Sequence, residues 1–108
     1  MLCQISDSIT GSQLVIGNEF PLDSWHMFTM VYSTGTGTFY MDGVSQGTLT
    51  ANNVNTLPAK QFAVGSDQAS NQAAYCKVDE TNIWNRALTL AEITQLYNSG
   101  AGKAYPYT

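Results

Sequence analysis

The sequence predicts an all-β protein, an antiparallel β-sandwich with one short helix in its C-terminal region. Three observations carry this. Short apolar or alternating runs recur along the chain and are separated by Gly, Asn, Asp and Ser, the pattern of antiparallel strands joined by tight turns. Six Tyr, four Phe and two Trp supply core material that disordered chains lack. A capping-box spacing late in the chain then marks where strand signals give way to a helix.

The elements follow in order. Leu2 to Ser6 forms one strand, and Leu14 to Ile16 begins a second that stops at Gly17-Asn18. The strongest strand signal is Trp25 to Tyr32. Its even positions (His26, Phe28, Met30, Tyr32) and odd positions (Trp25, Met27, Thr29, Val31) are both largely apolar, which predicts a mid-sheet strand covered on each side. Ser33 to Gly37 reads as a flexible hairpin loop, followed by a strand over Thr38 to Met41. Asp42-Gly43 is a two-residue turn of the primed type, since Gly accepts positive φ readily, and Val44 to Thr50 pairs back. Asn52 to Pro58 is an irregular connection, Gln61 to Val64 a strand, Gln68 to Ala74 a polar loop, and Tyr75 to Trp84 the last long strand. Thr89, with Glu92 three residues on, opens the helix. Leu88 and Ile93 are placed for a hydrophobic staple, Ile93, Leu96 and Tyr97 share the docking face, and Gly100 ends it.

Composition excludes several classes of function. The chain of 108 residues is one domain, 1–108, with 44% hydrophobic and only 11% charged residues, against roughly a quarter charged in ordinary soluble proteins. Ser, Thr, Asn and Gln fill the gap, so the surface is polar but largely uncharged. A net charge of −4 and four scattered cations, Lys60, Lys77, Arg86 and Lys103, argue against nucleic acid, which needs clustered Lys and Arg on phosphates. The same scarcity argues against a charged membrane surface, and no run of about 18 apolar residues is present to insert into a bilayer. The start MLCQISDSIT lacks a basic segment followed by a long apolar one, so no signal peptide is visible. Cys3 and Cys76 are too few for a disulfide scaffold and form no CxxC. They read as two buried, strand-borne thiols, with a single long-range disulfide as the alternative.

Three segments give the chain a family resemblance. WHMFTMVY (Trp25 to Tyr32) is similar to a W-H-x-V-A-x-x-Y strand, TFYMDGV (Thr38 to Val44) to a Tyr-Val-Asp-Gly hairpin, and VDETNIWNRALTLAEITQLYN (Val78 to Asn98) to an I-D-E-V-x-I-[YW]-N-R-A-L-[ST]-x-x-E-I-x-x-L-Y ending. Together they resemble the laminin G-like group of concanavalin A-like jelly rolls. Two departures stand out. Family domains carry further N-terminal strands, and Cys76 stands where the family usually has Gly. A sandwich lacking strands leaves open edges and an uncovered apolar face. The expectation is therefore a homo-oligomer, a partner chain that completes the sandwich, or a rearranged N-terminal strand. The family spacing through Val78, Thr81 and Ile83 breaks period two, which predicts a β-bulge near Asp79-Glu80.

No constellation for catalysis is visible. The one histidine, His26, reads as a strand-start residue making local hydrogen bonds, and no GxSxG elbow accompanies it. Asp79 and Glu80 are adjacent and in a regular strand face opposite sides, the wrong geometry for paired carboxylates. The resemblance implies calcium as a ligand that relatives often bind, and Asp79 is its candidate here, with Asp67 and Asp42 as further contributors; Asp42 reads first as a turn residue. Trp25 and Trp84 read as core, and Tyr105-Pro106-Tyr107 as an exposed tail. What the resemblance implies is a noncatalytic extracellular module, at a virion or cell surface, that recognises carbohydrate or a surface protein. The alternatives are a structural or decorating subunit of a virion or extracellular assembly, and an accessory-domain fragment of a larger secreted hydrolase.

Overall fold

A computed structural model of the chain describes residues 2–6, 11–15, 23–50, 75–104 and 106. Within them, two strands, β1 (Leu2–Ser6) and β2 (Gly11–Val15), pair antiparallel from Leu2↔Val15 to Ser6↔Gly11. Three more, β3 (Phe28–Ser33), β4 (Thr36–Met41) and β5 (Val44–Thr50), form an antiparallel sheet in the order β3-β4-β5. The first pair approaches this sheet through β2 and β5. One helix, α1 (Leu90–Tyr97), and a 3₁₀ turn, Asn98–Gly100, follow. The architecture is the predicted one: antiparallel strands with a single short helix near the C-terminal end.

Both hairpin turns of the larger sheet are two-residue turns with positive φ at each central residue. Asp42 and Gly43 sit at 54° and 80°, Thr34 and Gly35 at 52° and 78°. Such turns match the right-handed twist of the flanking strands. The segment Ser33 to Gly37 is thus a tight turn with Thr36 and Gly37 inside β4, not the flexible loop its composition suggests. The second hairpin carries a bulge: Phe39 opposes Gly47 while Tyr40 opposes Ser45, leaving Gln46 as the extra residue. Gly47 supports it at φ 140°, which L side chains rarely adopt.

The strand expected over Trp25–Tyr32 starts three residues late. Cross-strand register places Met27 opposite Asp42, and the Asp42 N–H donates to the Met27 carbonyl (2.9 Å). The Met27 N–H, however, donates to the Asp42 Oδ1 carboxylate oxygen (2.9 Å). The Asp42 backbone N–H thus keeps its place opposite Met27, while the side chain takes over the acceptor role that a strand carbonyl would have filled. Among the described strands β4, not β3, is central. Register puts Phe28, Met30 and Tyr32 on one face with Met41, Phe39, Gly37 and Leu49. Phe39 is the buried large side chain of that face, at 6% exposure, whereas Phe28 and Met30 are exposed. The expected cover on both sides of β3 is therefore absent among the described residues.

The largest correction concerns Tyr75 to Trp84, which is irregular and exposed rather than a strand. Glu80 turns left-handed at φ 50°. The Glu80 N–H donates to Asp79 Oδ1 (2.8 Å), and the Asn82 side-chain amide donates to the Glu80 carbonyl (2.7 Å). These local side-chain bonds satisfy groups that a ladder would otherwise need. The expected bulge at Asp79-Glu80 is thus a kink with no ladder to interrupt. The strand Gln61 to Val64, the polar loop Gln68 to Ala74 and Tyr105 lie outside the described residues.

The helix forms where the capping box places it. Thr89, extended at φ −77° and ψ 160°, accepts at Oγ1 from the Glu92 N–H (3.2 Å), and Glu92 Oε2 accepts from the Thr89 N–H (2.8 Å). Ile93 is fully buried, with Leu96 and Tyr97 half-buried beside it, as an amphipathic docking face requires. The helix ends at Asn98 (φ 48°), two residues before Gly100. Asn tolerates this left-handed conformation, and its side-chain amide donates to the Gly102 carbonyl (3.0 Å). A Cβ added at Gly43 would lie 3.9 Å from Tyr97 Cδ1, so the C-terminal end of α1 meets the β4–β5 turn.

Candidate functional site

Two side-chain constellations could bear chemistry. The first is built by the β4–β5 turn. His26 Nδ1 donates to Asp42 Oδ2 (2.7 Å), and Nε2 is hydrogen-bonded to the Ser24 hydroxyl (3.0 Å). The His26 and Asp42 side chains are 13% and 23% exposed. Serine, histidine and aspartate stand here in the order of a nucleophilic triad, which sequence spacing alone does not reveal because Asp42 lies 16 residues from His26. The hairpin register brings Met27 opposite Asp42 and so carries His26 into its neighbourhood, but the contact itself depends on the irregular backbone before β3. The arrangement is structural in its other bonds. Asp42 uses its second oxygen and its own N–H on the Met27 backbone, and Ser24 reaches His26 across only two residues. His26 and Asp42 thus act as the expected local hydrogen-bonding histidine and turn residue.

The second constellation surrounds the start of α1. Arg86 makes a two-pronged pair with Glu92, Nη1 to Oε2 at 2.9 Å and Nη2 to Oε1 at 2.7 Å. Arg86 and Glu92 are six apart and straddle the cap, so the i, i+4 spacing of helical ion pairs gives no hint of them. Hydrogen bonding from Arg86, then from the Thr89 backbone, pulls the Glu92 carboxyl from its ordinary 4.5 to about 2. The same hydrogen bond raises Arg86 above its usual value. A carboxylate so firmly ionised anchors the helix and is a poor proton donor near neutral pH. Beside it opens a cleft of about 190 Å³ whose lining includes Trp84, Leu88, Gln95, Leu96 and Lys103.

The residues singled out from sequence are distributed rather than gathered. Asp79 is exposed and uses Oδ1 on the Glu80 N–H, Asp42 is held in the hairpin turn, and Asp67 lies outside the described residues. Among the described residues no three His, Cys, Asp or Glu side chains converge. Calcium takes six to eight oxygens, so the described residues do not by themselves fit a calcium cage at Asp79. Trp25 is 66% and Trp84 39% exposed, which corrects the core reading of both. Cys76 is exposed and unbridged, neither a buried thiol nor half of a disulfide, because the segment that carries it stays outside any sheet. Among the described residues no helix is long and apolar enough to cross a membrane.

Antiparallel strands joined by tight primed hairpins, with one short capped helix, are elements that a jelly-roll sandwich uses. Residues 3–94 match the family described as the concanavalin A-like lectin/glucanases superfamily, and the chain belongs to it. The likeness extends to the crystal structure of residues 221–444 of an S-layer domain-containing protein from Clostridium thermocellum ATCC 27405, with a TM-score of 0.58 and 23% identity. That match covers 80% of this chain and 45% of the other, so the chain spans less than half of that structure. At this identity the likeness is one of fold. No curated protein sequence matches the chain.

Proposed function

We propose that the chain is a noncatalytic binding module that works at a cell surface or in another extracellular setting and recognises carbohydrate. The observation that carries this reading is the family match over residues 3–94, taken with the engagement of the described acids. Asp42 is held by His26 and Met27, Glu92 by Arg86 and Thr89, and Asp79 by the Glu80 amide. Among the described residues each of these three acids is thus engaged by local partners, whereas glycoside hydrolysis requires a pair of carboxylates facing one cleft. The superfamily's name spans lectins and glucanases alike, and these bonds favour the lectin side. The S-layer neighbour supports the surface setting only through its fold.

A second reading, a structural subunit of a surface assembly, is favoured by one specific observation. Trp25, just before β3, and Phe28 and Met30 within it present exposed apolar side chains, and β3 is an outer strand among the described ones. A second copy or another chain laid against them would bury this surface. Glycan-array binding combined with size-exclusion light scattering separates the two. A dispersed protein with selective glycan binding supports the module; ordered oligomers that bind no glycan support the assembly subunit and contradict the module. Hydrolysis of any bound glycan, lost on Ser24→Ala or Asp42→Asn, would overturn the noncatalytic reading.

A further inference from the structure

The cleft beside α1 has features that the helix cap does not use. Trp84 contributes a partly exposed indole, and Leu88 and Leu96 form an apolar wall next to it. Arg86 and Glu92 neutralise each other at one edge. Lys103, half-buried in the lining, shows no ion pair or hydrogen bond among the described residues, and neither does the Gln95 side chain. The described lining therefore carries a charge of +1 although the chain carries −4. Screening over about 8 Å at physiological salt makes the local charge decisive for a ligand seated in the cleft. The volume of about 190 Å³ lies below the roughly 300–1,000 Å³ of drug-sized sites, and suits one ring rather than a large ligand. Gln95 and Lys103 also border an adjoining depression of about 370 Å³ lined by Thr94, Asn98 and Ser99. The described lining of that second depression adds no further charge; the Thr94 hydroxyl and Asn98 amide donate to the Leu90 and Gly102 carbonyls, which leaves their oxygens as acceptors for sugar hydroxyls, beside the Ser99 hydroxyl.

We propose that this continuous groove binds an anionic oligosaccharide, a chain containing a uronic acid. One pyranose ring packs its apolar face on Trp84, its carboxylate pairs with the Lys103 ammonium, Gln95 hydrogen-bonds ring hydroxyls, and the next unit lies along Thr94, Asn98 and Ser99. The inference rests on the carbohydrate-binding reading and adds a site and a charge preference to it.

The test titrates the full chain, isotope-labelled for NMR, with trigalacturonic acid and with neutral galactotriose, alongside a glycan array. Trigalacturonic acid is expected to shift the Trp84 indole N–H and the Gln95 side-chain amide. Lys103→Gln should weaken it about tenfold, the loss of one charge-assisted hydrogen bond, and leave galactotriose binding unchanged. Trp84→Ala should weaken both sugars, whereas Trp84→Phe, which keeps an aromatic face and guards against misfolding, should retain most of the affinity. Glycan binding on the array that is unchanged in Lys103→Gln and Trp84→Ala would overturn the site and leave the carbohydrate reading standing. No glycan bound by the unaltered chain would overturn both.

Discussion

Two aspartates in this chain accept a backbone N–H with the same chemistry and opposite structural results. Asp42 Oδ1 takes the N–H of Met27, 15 residues away and across the sheet. Asp79 Oδ1 takes the N–H of Glu80, its immediate neighbour. The first bond continues a ladder past the point where the turn would have ended it, and His26 clamps the second carboxylate oxygen. The second bond helps to hold a left-handed kink at Glu80 and keeps the residues around it out of any described ladder. The difference lies in sequence separation: a side chain that bonds a distant strand adds to the sheet, and one that bonds its own neighbour replaces it.

Breaking the distant bond should have the largest effect. Asp42→Ala removes a part-buried acceptor of two hydrogen bonds and should lower the unfolding free energy by about 2–3 kcal/mol, read from urea denaturation; a loss under about 0.5 kcal/mol would deny the clamp its role. Thr89→Ala, which removes the cap that starts α1, should cost about 0.5–2 kcal/mol in the same assay. Gly43→Ala should cost about 1 kcal/mol. There a new Cβ would make only an ordinary van der Waals contact with Tyr97, at 3.9 Å, so the cost is that of φ 80°.

The smallest expected effect is a pH dependence. Because the folded Glu92 carboxyl is held down at about 2 against an ordinary 4.5, its contribution is fully present above the ordinary value. It is lost as pH falls through about 2. Glu92→Gln keeps a capping-box residue but removes this titration and the charge pairing with Arg86. Thermal melts between pH 5 and 2 should therefore fall less steeply in Glu92→Gln than in the unaltered chain; parallel slopes would count against the Arg86 tether.

What was legible in the sequence was local. Asp42-Gly43 declares a primed turn by residue type alone, and β5 (Val44–Thr50) and β1 (Leu2–Ser6) have the expected bounds. Thr89 and Glu92 announce the capping box three residues apart. What was missed depends on which distant group a side chain chooses. Composition cannot tell whether Asp79 bonds its neighbour or a strand, so Tyr75 to Trp84 looks like a strand by its apolar content. The indoles of Trp25 and Trp84 look like core because they lie in segments that resemble the family's core strands. The Ser24–His26–Asp42 chain and the Arg86–Glu92 pair join residues that only the folded hairpin and the cap bring together.

Amide hydrogen exchange, resolved by residue, tests the contrast most directly. The account predicts slow exchange at Met27, protected by the Asp42 carboxylate, and at the β4 amides, with fast exchange at Thr81 and Ile83. Protection of Thr81 and Ile83 as strong as that of β4 would mean that this segment is a strand of the sheet, and would contradict the central claim.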